Sequence, residues 1–570
     1  MNQVQGRNPS GSARLTHQDI SCYRSIVAEI DPLLAVLAYH DRTKHRPGQY
    51  ARALGYMDWR TQPDPFRRFE GAPLLPLEVV PPTGEPTWDA VLEGRVAPAA
   101  LDRRFVSQLL FDSLALSAWK VAGRSRWSLR VNPSSGNLHP TEGYVVSGVV
   151  PGLVGAPAVL HYAPAEHALE VRRTLDDAEW GLLRQGVPED ALLVALTSIH
   201  WRESWKYGER ALRYCHHDVG HAIAAVALAA SALGWSTRLC DHVADRELAV
   251  LLGIASQQGP EAEHPDCVLL LHPRGSEHDP AAVSVPPALA DALAARSTLG
   301  TPNALSEHHH PWPIIDAASA ATERLPGAPA EGHAPPPPSL PPRAAKAARQ
   351  LVRARRSAVG LDAVTGLARD DFFAMLRRVS ADVVPLGALS WRPRVDLLLF
   401  VHRVTGLAPG LYLLVRATDH RDALRAATSP KLRWEPVADG PDELVLLVPG
   451  DVRDAAKISS CGQDIAADGA FAVAMLARFE PTLRELGADL YRRLHWEAGA
   501  IGQVLYLEAE AAGLRGTGIG CFFDDVVHTV LGVEDETYRD LYHFTLGGPV
   551  EDERIQTEPA YPASRTEARR

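Results

Sequence analysis

The stretch GHAIAAVALAASALG, Gly220 to Gly234, is followed by a second apolar helical pattern that ends at Gly253. The stretch GAIGQVLYLEAEAAG, Gly499 to Gly513, is followed by a similar pattern that ends at Gly532. One constant offset in residue number, which brings Gly220 onto Gly499, aligns all three glycines of each half. The same offset pairs Leu228 with Leu507, Ala230 with Ala509, Ala232 with Ala511, Asp245 with Asp524 and Leu252 with Leu531. Because two unrelated alanine-rich helices would not share the length of their connecting loop, the pattern predicts a duplicated domain.

Upstream of each helix pair, a buried strand pattern precedes a Gly/Pro turn and another strand. In the first half these are GYVVSGVV, Gly143–Val150, and then GAPAVLHYAP. In the second half they are DLLLFVHRV, Asp396–Val404, and then GLAPGLYLLVR. Each half is therefore predicted to be α+β, with long helices packed on a short-stranded mixed or antiparallel sheet.

One segment interrupts the globular pattern, RLPGAPAEGHAPPPPSLPP from Arg324 to Pro342. Its four consecutive prolines favour an extended polyproline II conformation, so a semi-rigid spacer is favoured over a ligand for a proline-recognition module. We expect an N-terminal domain over residues 20–320, a linker over 321–342 and a C-terminal domain over 343–556. The polar tail after Arg554 is expected to fray.

The composition of the chain, which has 570 residues, argues against several classes of function. Hydrophobic residues make up 46% of the chain, so both halves can bury a core. The net charge of −11 argues against nucleic-acid binding, which usually needs a basic stripe. The N-terminus lacks an apolar signal segment, and the most apolar stretch, Ala222–Trp235, is too short for the roughly 18–20 residues of a membrane span. The six cysteines have no CxxC spacing. We therefore expect a cytoplasmic protein without a zinc framework, a disulfide scaffold or membrane association.

A polar loop precedes the first predicted strand. It reads RVNPSSGNLHPTE, Arg130–Glu142, and Pro133, Gly136 and Pro140 forbid a regular helix there. Its hydroxyls, asparagine and backbone N–H groups suit the carbonyls and ring nitrogens of a planar heterocycle. A polar turn at the start of a strand is the alternative interpretation of the loop taken alone.

The second half contains two further candidate motifs. Arg355-Arg356-Ser357 suits a phosphate, because arginine donors match its oxygens bidentately, although a solvated helix face is the alternative. The segment Gly516-Thr-Gly-Ile-Gly520 is predicted to be a loop whose backbone approaches a cofactor closely. It follows a helix rather than a strand, which argues against a dinucleotide-binding fingerprint. The corresponding first-half segment, Ser236–Cys240, has no glycine.

These motifs together resemble those of FMN-dependent nitroreductases and, more narrowly, of SagB-type dehydrogenases, whose signature is close to R-x-x-P-S-x-G-x-L-x-P-x-E. The resemblance implies that FMN is held by the polar loop, the Arg-Arg-Ser segment, the glycine segment and a late basic residue. The implied FMN contacts in this chain are Arg130, Pro133, Ser134, Ser135, Gly136, Asn137, Arg355, Arg356, Ser357, Gly518, Ile519, Gly520 and Arg554.

The motifs are divided between the halves in an informative way. Nitroreductases are homodimers with FMN at the interface, where one subunit supplies the Pro-Ser-Ser loop and the other supplies the remaining motifs. Here the first half has the loop and the second half has the rest, whereas Leu386-Gly-Ala-Leu389 occupies the loop position in the second half. The resemblance therefore implies a fused pseudo-dimer with one complete composite FMN site and one degenerate site. A monomer would suffice, and further association stays open.

The run SWKYGERALRYCHHDVGH, Ser204–His221, resembles the K-Y-G-x-R-x-x-R-Y segment of SagB-type azoline dehydrogenases, whose Lys-Tyr pair is the catalytic base. By this resemblance Lys206 and Tyr207 are the catalytic residues, and the aligned Glu485 and Leu486 lack the pair. Oxidising an azoline to an azole removes a Cα proton while hydride passes to the flavin, so burial is expected to lower the pKa of the lysine or its tyrosine partner. An exposed helix start is the alternative interpretation.

Two other clusters favour simpler interpretations. His40, Arg42, Thr43 and Lys44 stand roughly where Arg-Arg-Ser stands in the second half, as a remnant phosphate site or a solvated turn, of which we favour the turn. No acidic or cysteine partner stands at ligand spacing from His308-His309-His310 or His216-His217, so no metal site is predicted.

The leading hypothesis is an FMN-dependent oxidoreductase, SagB-like, that oxidises a heterocycle derived from a peptide or an amino acid, with peptide-modifying enzymes as possible partners. One alternative is an NAD(P)H-dependent reductase of nitro or quinone compounds. Another is a flavin-free scaffold or binding partner in a peptide-modifying complex.

Overall fold

The helices and strands come from a computed structural model, which describes residues 31–276, 278–328, 346–379 and 384–561. The α-helices in these ranges are α1 (Pro32–Arg42), α2 (Trp88–Leu92), α3 (Arg103–Phe111), α4 (Asp177–Leu183), α5 (His200–Tyr207), α6 (Ala211–Ala232), α7 (Asp245–Leu252), α8 (Pro287–Ala294), α9 (Pro313–Ala321), α10 (Ala348–Ala354), α11 (Arg369–Arg378), α12 (Arg421–Ala427), α13 (Arg453–Ser459), α14 (Ile465–Asp468), α15 (Glu480–Leu486), α16 (Leu490–Ala511) and α17 (Val526–Leu531). The strands are β1 (Phe69–Glu70), β2 (Leu74–Pro76), β3 (Leu116–Ala122), β4 (Ser125–Arg130), β5 (Thr141–Ser147), β6 (Ala158–Ala163), β7 (Ala168–Thr174), β8 (Leu192–Ser198), β9 (Trp235–Leu239), β10 (His264–Pro273), β11 (Thr301–Pro302), β12 (Leu367–Ala368), β13 (Val395–Val401), β14 (Val404–Thr405), β15 (Gly410–Leu414), β16 (Glu435–Pro436), β17 (Leu444–Pro449), β18 (Phe471–Arg478), β19 (Arg515–Ile519), β20 (Tyr538–Gly547) and β21 (Gln556–Glu558).

Each half contains a seven-stranded sheet, and six strands of each sheet follow the same order. The first sheet runs β2-β7-β6-β5-β8-β10-β9, and the second runs β16-β17-β15-β13-β18-β20-β19. The seventh is an edge strand that differs, because β2 precedes the other strands of its sheet in the chain whereas β16 lies between β15 and β17. Neighbouring strands are antiparallel in both sheets. The prediction of a duplicated α+β domain is therefore confirmed.

The long helices α6 and α16 cross at the centre of the molecule, and the offset that aligns Gly220 with Gly499 also aligns both ends of the two helices. The crossing is tight because a glycine of each helix faces the backbone of the other. A Cβ on Gly220 would lie 2.1 Å from the carbonyl oxygen of Trp496, and one on Gly499 would lie 2.2 Å from that of His217. The two contacts are equivalent under the alignment of the halves. A pseudo-twofold axis therefore passes between the two glycines.

A Gly499→Ala substitution is expected to destabilise the fold, because the added methyl group must displace backbone rather than a flexible side chain. We expect a loss of about 1–3 kcal/mol in the free energy of unfolding, measured by chemical denaturation. Gly181→Ala is the matched control, since Gly181 also lies in a helix but has open space around its Cβ position. Equal stability of the two variants would contradict the tight crossing.

Two buried ion pairs repeat across the same axis. Arg213 of α6 pairs with Asp524 of the second half at 2.5 Å, and Arg492 of α16 pairs with Asp245 of the first half at 2.7 Å. The offset that aligns the two halves also aligns Arg213 with Arg492 and Asp245 with Asp524. Breaking a buried pair leaves an uncompensated charge, so these pairs hold the two halves in one relative position.

Terminal segments of each half pack on the other half. Helix α1 lies against the second half, where the His40 ring packs at a tilt against Phe479 with ring centroids 4.4 Å apart. Strand β21 pairs with β3 of the first half, and the buried Tyr561 hydroxyl donates to the carbonyl of Pro164 at 2.6 Å. The expectation that the chain frays after Arg554 is therefore wrong as far as residue 561, because the tail adds a strand to the first half.

The lead-in also differs from the expected solvated turn. His40, Thr43 and Lys44 are buried, and Lys44 Nζ lies 2.9 Å from an oxygen of Asp525. Arg42 forms a bidentate pair with Glu209. These residues tie the lead-in to both halves, because Lys44 meets Asp525 of the second half while Arg210 and Arg213 of the first half donate to the carbonyls of Thr43 and His40.

Most of the proline-rich linker, including Pro335–Pro338, and the start of the predicted C-terminal domain lie outside the described residues. Within the described ranges, no helix combines the length and the apolar character needed to cross a bilayer.

A candidate cofactor site between the halves

A cavity of about 470 Å³ lies where the two halves meet, within the size range of small-molecule sites. Its walls combine the polar loop, the helices α5 and α6, the Arg-Arg-Ser segment and the strand β19. The sequence-predicted residues that line it are Arg130, Pro133, Ser134, Ser135, Gly136, Asn137, Tyr207, Arg355, Arg356, Ser357, Gly518, Ile519 and Gly520. Motifs from opposite halves of the chain thus share one crevice.

The polar loop is held in a conformation that few residues adopt. Gly136, Asn137 and His139 all have φ between 52° and 61°, the left-handed region. Hydrogen bonds offset this strain, since Asn137 Nδ2 donates to the carbonyl of Ser128 at 2.7 Å and the His139 N–H donates to Ser134 Oγ at 2.8 Å. The loop therefore presents a fixed arrangement of polar groups to the cavity.

Asp218 anchors this loop from helix α6. The backbone N–H of Ser135 donates to its carboxyl at 3.1 Å, and the Ser135 hydroxyl donates at 3.2 Å. Burial raises the pKa of Asp218 to about 7, although both serine contacts oppose the rise. Sequence reasoning missed this residue. A signal existed, because the offset between the halves aligns Asp218 with Glu497, which accepts hydrogen bonds from the corresponding strand entry at Arg394 and Val395.

The other end of the cavity is basic. Arg355 Nη2 donates to the carbonyl of Arg130 at 2.8 Å, which joins this segment to the start of the polar loop. Arg356 donates to the carbonyls of Arg353 and Arg355. Within the described part of the chain, the guanidinium groups of Arg355 and Arg356 form no ion pair with a carboxylate. Burial, together with the neighbouring arginines, lowers the pKa of Arg356 to about 10. A cation in this environment is stabilised by an anion.

The glycine segment is an edge strand, β19, rather than the loop that its pattern predicted. Its glycines make room for aromatic rings. A Cβ on Gly516 would lie 2.6 Å from Phe544, one on Gly518 would lie 1.9 Å from the Tyr542 hydroxyl, and one on Gly520 would lie 2.3 Å from Tyr214. The three rings belong to α6 and β20, so the glycines allow the wall of the cavity to form from both halves.

The N–H of Gly518 donates to the Tyr506 hydroxyl at 2.9 Å and therefore points away from β20, toward the free edge of the sheet. The same hydroxyl lies 2.9 Å from Ser357 Oγ. Tyr506 thus connects the free edge of β19 to the Arg-Arg-Ser segment.

Lys206 and Tyr207 end helix α5 directly above the polar loop. A Cβ on Gly136 would lie 2.6 Å from the Tyr207 hydroxyl and 2.9 Å from Lys206 Nζ, so both polar side-chain ends lie against the loop at this glycine. Burial, and then the nearby Glu203, raises the pKa of Tyr207 well above its ordinary value. The expectation of a lowered pKa is therefore wrong for Tyr207, because burial and acidic neighbours both disfavour the phenolate. Tyr207 remains a neutral hydroxyl.

Arg554 does not join the other predicted residues. Its guanidinium is 87% exposed and pairs with Asp552, two residues earlier in the same turn. Arg515 and Lys120, which sequence reasoning did not select, line the basic end of the cavity instead. Lys120 comes from β3 of the first half and donates to Thr557 Oγ1 at 2.7 Å.

The pseudo-symmetric position in the other half is filled by side chains. The segment Leu386–Leu389 replaces the polar loop, and Arg238 Nη1 donates to its Gly387 carbonyl at 2.5 Å. Arg493, which the offset aligns with Tyr214, lies over the ring of Trp391 and pairs with Asp241 at 3.0 Å. Two arginines and an indole therefore occupy this region, and Thr237, Leu239 and Asp241 take the positions of Gly516, Gly518 and Gly520.

One protein family and several solved structures are similar to this chain. The model of the nitroreductase family matches residues 102–267 and 412–548. A putative nitroreductase from Anabaena variabilis has 23% sequence identity and a TM-score of 0.65, over 90% of this chain and 99% of that one. A chain of the E. coli microcin synthetase McbBCD complex with truncated pro-MccB17 bound has 17% identity and a TM-score of 0.26, over 47% of this chain and 100% of that one. A putative nitroreductase in complex with FMN from Exiguobacterium sibiricum has 14% identity and a TM-score of 0.22, over 38% and 91%.

No curated protein matches the chain. The two matched segments together cover more than half of the residues, one in each half, and the full-length likeness to the Anabaena variabilis structure extends over both halves. The chain therefore belongs to the nitroreductase family of oxidoreductases, with two nitroreductase-like halves in tandem.

Proposed function

We propose that the protein is an FMN-dependent oxidoreductase with one composite flavin site, which oxidises an azoline ring in a peptide or an amino-acid derivative to an azole. The observation that carries the flavin site is the basic end of the cavity. Arg355 and Arg356 lie there without an ion-pair partner in the described ranges, opposite a polar loop from the other half. This arrangement suits a ligand with a phosphate at one end and a planar polar ring at the other.

The residues present fit FMN. The Nε atoms of Arg130 and Arg355 are buried, and neither has a hydrogen-bond partner within the described part of the chain, which is costly unless a ligand supplies an acceptor. Arg355, Arg356, Ser357, Lys120 and Arg515 would hold the phosphate. The Ser135–Asn137 turn and the end of β19 at Gly518–Gly520 would face the ring system.

When bound, the flavin would accept the hydride that leaves the substrate. Residues of the protein would supply the base and would hold the substrate in position. Lys206 Nζ lies over the loop and would accept the Cα proton of the azoline ring. The neutral Tyr207 hydroxyl would donate a hydrogen bond to the same ring. Asp218 would keep the loop in place, because its carboxyl holds both the N–H and the hydroxyl of Ser135.

The filled pseudo-symmetric position leads to a defined stoichiometry. We expect the purified full-length protein to bind one FMN per chain, measured by flavin absorbance against protein concentration. With bound FMN it should convert a synthetic peptide containing one thiazoline into the thiazole, a loss of two hydrogens seen by mass spectrometry. Two flavins per chain would contradict the single site. Colourless protein that does not bind added FMN would favour a scaffold role, and rapid bleaching by NAD(P)H without thiazoline oxidation would favour a reductase.

A further inference from the structure

Two cysteines that are far apart in the sequence meet at the rim of the cavity. Cys461 follows helix α13, and Cys521 follows strand β19 and lines the cavity. Both are free and only partly buried, whereas Cys215, Cys240 and Cys267 are buried. The side chains of Cys461 and Cys521 interact, and the Cys461 thiol lowers the pKa of Cys521.

The two segments that carry these thiols are joined on both sides of the pair. The N–H of Phe523 donates to the carbonyl of Ser459 at 2.8 Å. Gln463 Nε2 donates to the carbonyl of Cys521 at 2.8 Å and to that of Ser460 at 2.9 Å. Backbone and side-chain contacts around the two cysteines therefore hold the segments that carry the thiols next to each other.

The backbone at Cys461 is also unusual. Its φ of 55° lies in the left-handed region, which residues with a side chain seldom occupy. Such a conformation persists where the surroundings over-determine it, and it is often found at functional positions.

His45 prepares Cys521 to react. The N–H of Ala51 donates to His45 Nδ1 at 2.9 Å, so the ring proton is on Nε2 and is donated to Cys521. The hydrogen bond from the Cys461 thiol, together with the one from His45, lowers the pKa of Cys521 to about 5. The titratable and charged groups that face the two thiols are His45, Tyr50, Tyr207, Arg210, Tyr214 and Asp524.

We propose that Cys521 and Cys461 form a redox-active dithiol that reacts with low-molecular-weight disulfides at the rim of the cavity. The Cys521 thiolate attacks one sulfur of a disulfide RSSR, which forms a Cys521–S–S–R bond and releases RS⁻. The Cys461 sulfur then attacks Cys521, which forms the Cys461–Cys521 disulfide and releases the second RS⁻. The proton of the Cys461 thiol leaves with one RS⁻ as RSH, and the other RS⁻ takes up from solvent the proton that Cys521 released when it ionised. One RSSR is thus reduced by two electrons, and the pair is oxidised by two electrons.

The proposal is tested on the full-length protein with oxidised glutathione, followed by alkylation of the remaining thiols and mass spectrometry of the peptides. We expect a Cys461–Cys521 cross-linked peptide that dithiothreitol removes. In the Cys461→Ser variant the reaction should stop at glutathione bound to Cys521, whereas in Cys521→Ser the modification of Cys461 should be at least about tenfold slower, since it lacks the neighbouring histidine donor. Mixed disulfides on both cysteines of the wild type without a cross-link would overturn the proposal, and so would two unmodified thiols. The wild-type result needs no variant to fold.

A second measurement separates an activated thiolate from two thiols that are merely close. At pH 5.5 a thiol of pKa about 5 is mostly ionised, whereas an ordinary thiol is about 0.1% ionised. A thiolate of low pKa is a weaker nucleophile, but this offsets only part of the advantage that its larger ionised fraction gives. Iodoacetamide should therefore modify Cys521 about 20-fold faster than it modifies a free cysteine peptide at pH 5.5. The Cys461→Ala variant should lose the larger part of this advantage, and the His45→Gln variant a smaller part. An equal rate for protein and peptide at pH 5.5 would count against an activated Cys521. Neither readout depends on flavin, so failure of the dithiol and failure of the proposed oxidation are distinguishable.

Discussion

The Lys206→Met variant is expected to lose thiazoline oxidation by a factor of about 10²–10⁴ while it keeps its fold and its flavin affinity. The side chain is only partly buried, and the structure gives it no ion-pair partner in the described ranges, so methionine can replace it with little cost to packing. Its Nζ lies at the loop that would face the ring, and the neutral Tyr207 beside it cannot serve as the base at ordinary pH. The loss should appear in kcat, because the removed group acts on the proton in the transition state.

Lys120→Met is the matched control for this experiment. Lys120 lines the cavity at its basic end, where it donates to Thr557, whereas Lys206 Nζ lies against the polar loop at Gly136. Replacement of Lys120 should weaken FMN binding and leave the turnover of the FMN-saturated protein unchanged. If Lys206→Met turns over the thiazoline peptide as fast as the wild type, Lys206 is not the base. If both variants lose turnover equally at saturating FMN, the separation of the cavity into a phosphate end and a reaction end is wrong.

The Arg356→Gln variant is expected to bind FMN about 10- to 100-fold more weakly, because a charge-assisted hydrogen bond to a phosphate contributes about 1.5–3 kcal/mol. Glutamine keeps polar donors near the carbonyls of Arg353 and Arg355 but removes the positive charge. A titration of the apoprotein with FMN, followed by the change in flavin fluorescence, measures the dissociation constant. The loss should shrink as the salt concentration rises, since part of the attraction is electrostatic.

Arg554→Gln is the control for the phosphate contact. The family resemblance assigns Arg554 to the phosphate, but the structure places its guanidinium in solvent against Asp552. We therefore expect Arg554→Gln to change the FMN dissociation constant by less than about twofold, as is usual for an exposed pair. A large loss in Arg554→Gln and none in Arg356→Gln would reverse the assignment and would require the segment after β20 to close over the cavity.

The duplication was visible in the sequence because it depends on backbone contact. Gly220 and Gly499 meet across the central crossing, where no side chain fits, and Gly253 and Gly532 end their helices with φ of 71° and 70°. Only glycine satisfies such positions at low cost, so the spacing of glycines preserves the geometry of each half. The strands could also be predicted, because β5 and β13 are buried along their whole length and buried strands are continuous apolar runs in the sequence.

The polar loop and the Arg-Arg-Ser segment were also found from sequence, because each is a short run of unusual residues whose members act together. The glycine segment was misassigned. Its glycines allow Tyr214, Tyr542 and Phe544 to pack on an edge strand, and the rings come from distant parts of the chain. The sequence of the segment does not show whether its glycines are needed to make a turn or to leave room for a neighbouring aromatic ring.

The sequence by itself determined that the chain contains two copies of one α+β domain and which copy retains each motif. Backbone constraints and periodic burial require particular residue types at fixed spacing, so they can be detected along the chain. Only the tertiary structure decided that Asp218 holds the polar loop, that Arg554 lies outside the cavity and that Cys461 meets Cys521. Those relations join side chains brought together by packing of the two halves. Such contacts constrain position in space and not spacing along the chain. The alignment of Asp218 with Glu497 marks a shared acidic position, but it does not show which loop each acid holds.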